Sequence, residues 1–65
     1  MDESRWREAL DALLAAGESK ATIADAIGAS WITVHRLSRG GPPRPHRAIL
    51  RGLVRVAHER GMLAA

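Results

Sequence analysis

Arginine side chains dominate the second half of this chain. Positions 31–65 carry seven Arg and one acidic residue, which gives +6, whereas positions 1–30 carry three basic and six acidic residues, which gives −3. A guanidinium group is planar, permanently charged and able to donate forked hydrogen bonds to phosphate oxygens and to the edge of guanine. The uneven charge therefore predicts a polyanionic partner for the second half.

Side chains that could carry catalysis or hold a metal are sparse. The chain has no Cys, and its three histidines, at positions 35, 46 and 58, have no close ligand partner in sequence. Asp25 and Glu59 belong to no pattern of a general acid and base, and Gly40-Gly41 runs into prolines rather than into a phosphate-binding Lys-Ser/Thr. We therefore predict no enzymatic activity, no cofactor, no metal site and no small-molecule effector.

The elements that position the arginines are predicted to be helices. Residues 4–16 have the spacing of an amphipathic helix, and a C-terminal helix over 46–60 can begin after Pro45 and end at Gly61. Glycines and prolines make residues 39–45 a loop. The pattern predicts one domain over 1–65 with an all-α fold, a compact bundle of four or five helices. No apolar run approaches a membrane span and no signal peptide is visible, so we expect a cytoplasmic protein.

Two short helices within residues 20–40 can cross at a tight turn. Each has one apolar side, formed by Ile23, Ala24 and Ile27 in the first helix and by Val34 and Leu37 in the second. Ala24 lets the helix axes approach closely.

The ends of these two helices also carry sequence signals. Gly28 can adopt the left-handed conformation that a sharp turn requires. Ser19 and Ser30 stand immediately before the helices as N-caps, although neither has the Glu or Gln of a full capping box.

These positions resemble the helix-turn-helix of the phage lambda repressor and Cro family, with the pattern Lys20-x-x-Ile23-Ala24-x-x-x-Gly28-x-Ser30-x-x-x-Val34-x-x-Leu37-x-x-Gly40. The resemblance implies a regulator that binds double-stranded DNA, typical of phages and mobile elements. It leaves open whether the chain is a Cro-like regulator, an antitoxin-like repressor or a regulator that accompanies anti-CRISPR genes. Lys20 departs from the family's usual Gln: it can reach a phosphate, but it cannot make the amide contacts that support a recognition side chain.

The outward side of the second helix supplies the predicted DNA contacts. Arg36 can fork onto guanine O6 and N7, Ile32 can pack on a thymine methyl, and Arg39 is suited to phosphate. Trp31 is unusual at its position and can alternatively cover the junction with the first helix. The predicted DNA-binding residues are Lys20, Ser30, Trp31, Ile32, Thr33, His35, Arg36, Arg39 and Arg44.

The C-terminal helix has an apolar arc of roughly 160°, wider than the ~100° that one core usually occupies. We therefore predict a homodimer on a palindromic operator, with an interface that includes Leu50, Leu53, Val54, Val56, Ala57, Met62 and Leu63. The alternative is that a small domain wraps its last helix deeply into its own core. On the side opposite the arc, arginine recurs every four residues, at Arg47, Arg51 and Arg55. These side chains either contact phosphate or form a solvated face.

The sequence thus predicts a DNA-binding transcriptional regulator, most simply a dimeric repressor that can act on its own operon. The competing interpretation is a small helical adaptor, or an antitoxin-like module, that uses the same scaffold to bind a protein. An exposed Trp next to an exposed Ile would suit such a protein-binding patch.

Overall fold

A computed structural model describes residues 3–41 and 46–63, and within those ranges all regular secondary structure is helical. A 3₁₀ turn at Glu3–Arg5 leads into helix α1, Trp6–Ala15. Helices α2, Lys20–Ile27, and α3, Trp31–Ser38, follow, and α4 spans Arg47–Glu59. The predicted all-α fold is confirmed, and the predicted C-terminal helix is one residue shorter at each end, where His46 and Arg60 are its caps.

Serine side chains start α2 and α3, as predicted. The Ser19 hydroxyl accepts a hydrogen bond from the backbone N–H of Thr22 at 3.1 Å and donates to the Thr22 hydroxyl at 2.9 Å. Ser30 accepts from the backbone N–H of Thr33 at 3.3 Å, and the two hydroxyl oxygens lie 3.0 Å apart. A threonine therefore engages the capping serine at the position where a capping box would place Glu or Gln.

Gly28 makes the turn between α2 and α3. Its backbone is left-handed, with φ 71° and ψ 31°, a conformation that costs a residue with a Cβ but not glycine. The N–H of Ala29 donates to the carbonyl of Ala24 at 2.9 Å, and the N–H of Gly28 donates to that of Asp25 at 3.4 Å. This pair of bonds is a Schellman motif, which ends α2 and redirects the chain into the cap of α3.

One core holds the helices together. Helix α4 lies against α1, α2 and the 3₁₀ turn, α2 lies against α3, and α1 also contacts α3. The apolar sides predicted for α2 and α3 do face this core. Its largest fully buried side chains are Leu10, Leu13, Ile23, Val34, Leu37 and Leu53.

Gly52 sets the distance between α4 and α2. A Cβ at this position would lie 3.1 Å from Cβ and 3.3 Å from Cγ2 of Ile27. Contacts this short are tighter than most that a Cβ makes, so a larger residue at position 52 would require Ile27 to shift by a few tenths of an ångström. The close approach of α4 explains how a short chain can enclose so much of this helix.

The residues predicted for a dimer interface lie in the chain's own core. Leu53 and Ala57 are fully enclosed, and four others are at most 7% exposed: Leu50, Val54, Val56 and Leu63. Met62 is half-buried and also packs against this core. A side chain enclosed by its own chain has no surface to offer a second copy. The width of the apolar arc is thus explained by the sequence alternative of a deeply wrapped last helix, and it no longer argues for dimerisation.

The described helices are also too short, and not apolar enough, for any of them to cross a membrane.

Candidate nucleic-acid interface

Helix α3 is half core and half surface. Val34 and Leu37 are buried, with exposures of 0% and 1%. On the opposite side Trp31 and Ile32 are 50% and 46% exposed, the only large hydrophobic side chains exposed in the described parts of the chain. The burial of one side fixes α3 in rotation, so its outward residues are held in a constant arrangement.

The two arginines at the end of α3 have no acidic partner in the part of the chain that the structure describes. Arg36, in the last turn, and Arg39, the C-cap residue, are both exposed. Neither guanidinium forms an ion pair with a carboxylate of residues 3–41 or 46–63. Their charges are therefore not neutralised locally, and all their side-chain donors remain available to an anionic ligand.

The arginines of α4 are paired instead. Glu3 binds two of them, with Oε1 2.7 Å from Nε of Arg47 and Oε2 3.3 Å from Nε of Arg51. Arg55 lies 4.0 Å from the Glu59 carboxylate. The guanidinium groups keep the pKa of the Glu3 carboxyl below its usual range, chiefly through the hydrogen bond from Arg47. These carboxylates account for the four-residue repeat of like charges without a phosphate.

The remaining described arginines also have partners. Arg60 forms an ion pair with Glu18, and Arg5 forms one with Glu8 at 2.6 Å. The Arg7 guanidinium lies over the indole of Trp6, 4.8 Å from the ring centroid, a cation–π contact. Trp6 itself is partly buried against the core, as the helical periodicity of α1 predicts.

Lys20 connects the start of α2 to α3. Its Nζ lies 3.0 Å from Nδ1 of His35, and this contact is partly buried. Because an ammonium group can only donate, Nδ1 must accept, and the imidazole proton then belongs to Nε2. Lys20 was predicted to reach a DNA phosphate; in this structure it supports a side chain of α3.

His35 contacts both this lysine and Trp31. The imidazole and indole rings are stacked, with centroids 4.8 Å apart and planes within 8°. Partial burial of the imidazole, followed by the charges of Lys20 and Arg39, lowers the pKa of His35 below its usual value. At neutral pH the imidazole is therefore uncharged, which is the state that can accept a hydrogen bond from Lys20.

The other predicted contact residues have mixed placements. Ser30 is exposed and Thr33 is half-buried, and both hydroxyls take part in the cap of α3. Arg44 lies outside the described residues. The structure therefore brings Trp31, Ile32 and His35, together with the two α3 arginines, onto one helix and places Lys20 beside it.

Sequence reasoning did not find the carboxylates that pair with α4. Glu3 lies 44 residues before Arg47 and Glu18 lies 42 before Arg60, so no local pattern joins them. The Lys20–His35 contact, across 15 residues, was also missed. The helical period could have indicated this contact, because it places Lys20 and His35 on the sides of α2 and α3 that do not face the core.

Comparisons with known proteins do not identify this chain. No protein-family model matches it, and neither a curated protein nor a solved structure gives a match. In the described ranges, no three His, Asp or Glu side chains come together as a metal site would require.

Proposed function

We propose that this chain binds double-stranded DNA, with α3 in the major groove, and regulates transcription. The major groove admits one α-helix and exposes base edges that arginine can recognise. Helix α3 is eight residues long, is fixed in rotation by the core and presents its outward side at the surface. A regulator of this kind works in the cytoplasm, at the nucleoid.

The observation that carries the proposal is the unequal pairing of arginines. Every other described arginine has a carboxylate or aromatic partner, whereas Arg36 and Arg39 have neither among the residues that the structure describes. Paired charges cancel much of each other's field, while unpaired charges attract a polyanion and release its counterions on binding. Arg36 and Arg39 therefore leave uncompensated positive charge beside the outward side of α3.

Lys20 and Arg39 fit the positioning part of such an interface. Both lie close enough to His35 for their charges to lower its pKa, so these two cations form one basic region around the uncharged imidazole. Contacts to phosphate fix the register of a protein on the duplex, and contacts to base edges select the sequence. Arg36 is the candidate for the second task, because it lies on the helix itself rather than at its cap.

A repressor acting by occlusion needs nothing beyond such a domain, and its own promoter is the natural first target. The dimer on an inverted repeat stays a prediction, although the apolar arc of α4 no longer supports it. Since α4 is enclosed by its own chain, a second subunit would have to use other surfaces. Light scattering at micromolar concentration tests this prediction, and a monomer would contradict it.

A protein partner is the second candidate function, favoured by the exposure of Trp31 and Ile32. The scale of this patch argues against it, because stable protein interfaces bury about 800 Å² on each partner and involve about 20–30 residues a side. Two adjacent side chains are far fewer than that. They are instead comparable with the few residues that a recognition helix inserts into a groove.

The experiment is a salt titration of binding to the DNA directly upstream of the gene, with a random duplex of equal length as control. We expect tighter binding to the upstream fragment and a linear loss of log affinity with log salt concentration. Equal binding to both duplexes would contradict sequence-specific regulation. Failure to bind either duplex at low salt would contradict DNA binding and favour the protein partner.

A further inference from the structure

Three residues from two helices contact one another in series beside the exposed start of α3. We call Lys20, His35 and Trp31 the indole platform. Lys20 Nζ contacts His35 Nδ1 at 3.0 Å, and the His35 ring lies parallel to the Trp31 indole. Trp31 and His35 are four residues apart in one helix, so their rings are neighbours on its surface.

The platform restricts an aromatic side chain that would otherwise be free to rotate. The Trp31 side chain is half-exposed, and rotamers of an exposed side chain normally interconvert within nanoseconds. Stacking on an imidazole that is itself held by a lysine from α2 removes that freedom before any ligand arrives. Preorganisation of this kind favours binding, because less conformational entropy is lost on association.

The chemistry of the platform's outer surface is apolar. Trp31 and its neighbour Ile32 leave half of their surface in water, at a cost that a folded chain normally avoids by burying large hydrophobic groups. In the major groove the apolar group available to them is the C5-methyl of thymine. Cytosine and the purines present hydrogen-bonding groups on that edge instead.

On the premise of the proposed function, we propose that the indole platform selects thymine through its 5-methyl group, with Trp31 and Ile32 as the contacting side chains. Lys20 is a positioning residue: it holds the imidazole that supports the indole. The bond from Lys20 fixes the proton of His35 on Nε2, and a single tautomer keeps one ring orientation against the indole.

Replacing thymine by uracil isolates the methyl group. A duplex of alternating adenine and thymine, about 20 base pairs or two helical turns long, is compared with the same duplex containing deoxyuridine. Both have the same phosphates and the same base-pairing groups. Burial of one methyl predicts about fourfold tighter binding of the thymine duplex, and more where several are contacted.

Variants assign the preference to the platform. Trp31→Ala should reduce the ratio of thymine to uracil affinity towards one, and Lys20→Met should reduce it as well. Arg39→Ala is the matched control: it also removes one positive charge near His35, but it leaves the Lys20–His35 contact in place. We expect it to weaken binding to both duplexes and to preserve the ratio.

The tautomer of His35 gives a readout that a general loss of charge would not move. Nitrogen NMR of the imidazole should show a proton on Nε2 alone in the wild type and in Arg39→Ala, and a mixture of tautomers in Lys20→Met. Retention of one tautomer and of the full ratio in Lys20→Met would overturn the positioning role of Lys20.

The outcomes separate this inference from the function on which it rests. Binding of both duplexes with equal affinity by the wild type would overturn thymine selection and leave DNA binding intact. Unchanged preference in Trp31→Ala would overturn the assignment to the platform. If neither these duplexes nor the upstream DNA is bound at low salt, the proposed function fails, and Trp31 and Ile32 are left as a protein-binding patch.

Discussion

Helices α3 and α4 both carry exposed arginines, yet they use them differently. On α4, Glu3 holds Arg47 and Arg51, and Glu59 lies beside Arg55. On α3 and its cap, Arg36 and Arg39 have no carboxylate partner among the described residues. In the sequence the α4 arginines recur every four residues, which suits either phosphate contacts or a solvated face. Their acidic partners become visible only in the fold.

Helices α3 and α4 also differ in how much of their surface is buried. Helix α4 buries six residues and is the central element of the core, while α3 buries only Val34 and Leu37. A helix enclosed by its neighbours contributes mainly to stability. A helix attached along one narrow side can offer the rest of its surface to a ligand. The number of arginines on a helix is therefore a poorer guide to function than what surrounds them.

The largest expected effect is the loss of unfolding free energy when the buried side of α4 is changed. Leu53→Ala removes a fully enclosed side chain, and such substitutions cost about 2–5 kcal/mol of unfolding free energy. Chemical denaturation measures the loss. Because we assign Leu53 to the core of one chain, the transition should also be independent of protein concentration. A midpoint that rises with concentration would instead support a dimer through α4.

On the α3 side, Arg36→Ala should affect DNA binding while the unfolding free energy stays near that of the wild type. A bidentate contact to guanine is worth about 1–3 kcal/mol of discrimination, so the variant should bind its operator more weakly and tolerate change at one base pair. Arg39→Ala should weaken all sequences alike and flatten the salt dependence. Identical losses on operator and random DNA for both variants would disprove this division of roles.

Removing the two serine N-caps should have smaller effects on stability, and these variants compare α2 with α3. Ser19→Ala and Ser30→Ala each remove a hydroxyl that accepts a backbone hydrogen bond, and each should lower the unfolding free energy by about 1 kcal/mol. Ser30 starts the helix that we place in the groove, whereas Ser19 starts α2. We expect DNA affinity to fall more in Ser30→Ala when both are measured on the same duplex. A larger loss in Ser19→Ala would place the groove-binding element elsewhere.

The smallest expected effect is the pH dependence of the Glu3 contacts. The pKa of this carboxyl is lowered in the folded chain, so its ionised form stabilises the fold above the unfolded pKa, and this contribution is lost as pH falls through the folded pKa. Thermal melts of the wild type should therefore lose stability below about pH 4.5. Glu3→Gln should lose less over the same interval. An equal acid loss in both proteins would show that Glu3 does not bind the α4 arginines in solution.

Local signals in the sequence predicted the parts of the fold that depend on neighbouring residues. Ser19, Ser30 and Gly28 act within one helical turn, so their caps and the tight turn could be predicted correctly. The inward direction of Val34 and Leu37 follows from the helical period. These features already define most of α3 and its surroundings.

Contacts between distant residues could not be predicted in this way. The two bonds of Glu3 to α4 depend on how the start of the chain meets the last helix. The burial of α4 depends on the close approach at Gly52. For that reason the sequence could not decide how much of the apolar arc of α4 its own chain would bury, or which carboxylates its arginines would meet. The contact of Lys20 with His35 likewise requires α2 and α3 to be placed first.

The most direct test of whether α3 is the DNA-binding helix compares two double variants that remove equal charge. Arg36→Ala/Arg39→Ala removes the unpaired arginines of α3, and Arg51→Ala/Arg55→Ala removes paired ones from α4. Affinity for the upstream duplex is measured across a range of salt concentrations. We predict that the α3 variant binds about tenfold or more weakly, with a salt slope shallower by roughly 0.9 for each phosphate that it no longer neutralises, while the α4 variant binds nearly as the wild type does. Equal reductions in affinity for the two variants, or a larger reduction for the α4 variant, would contradict the claim that α3 is the DNA-binding helix.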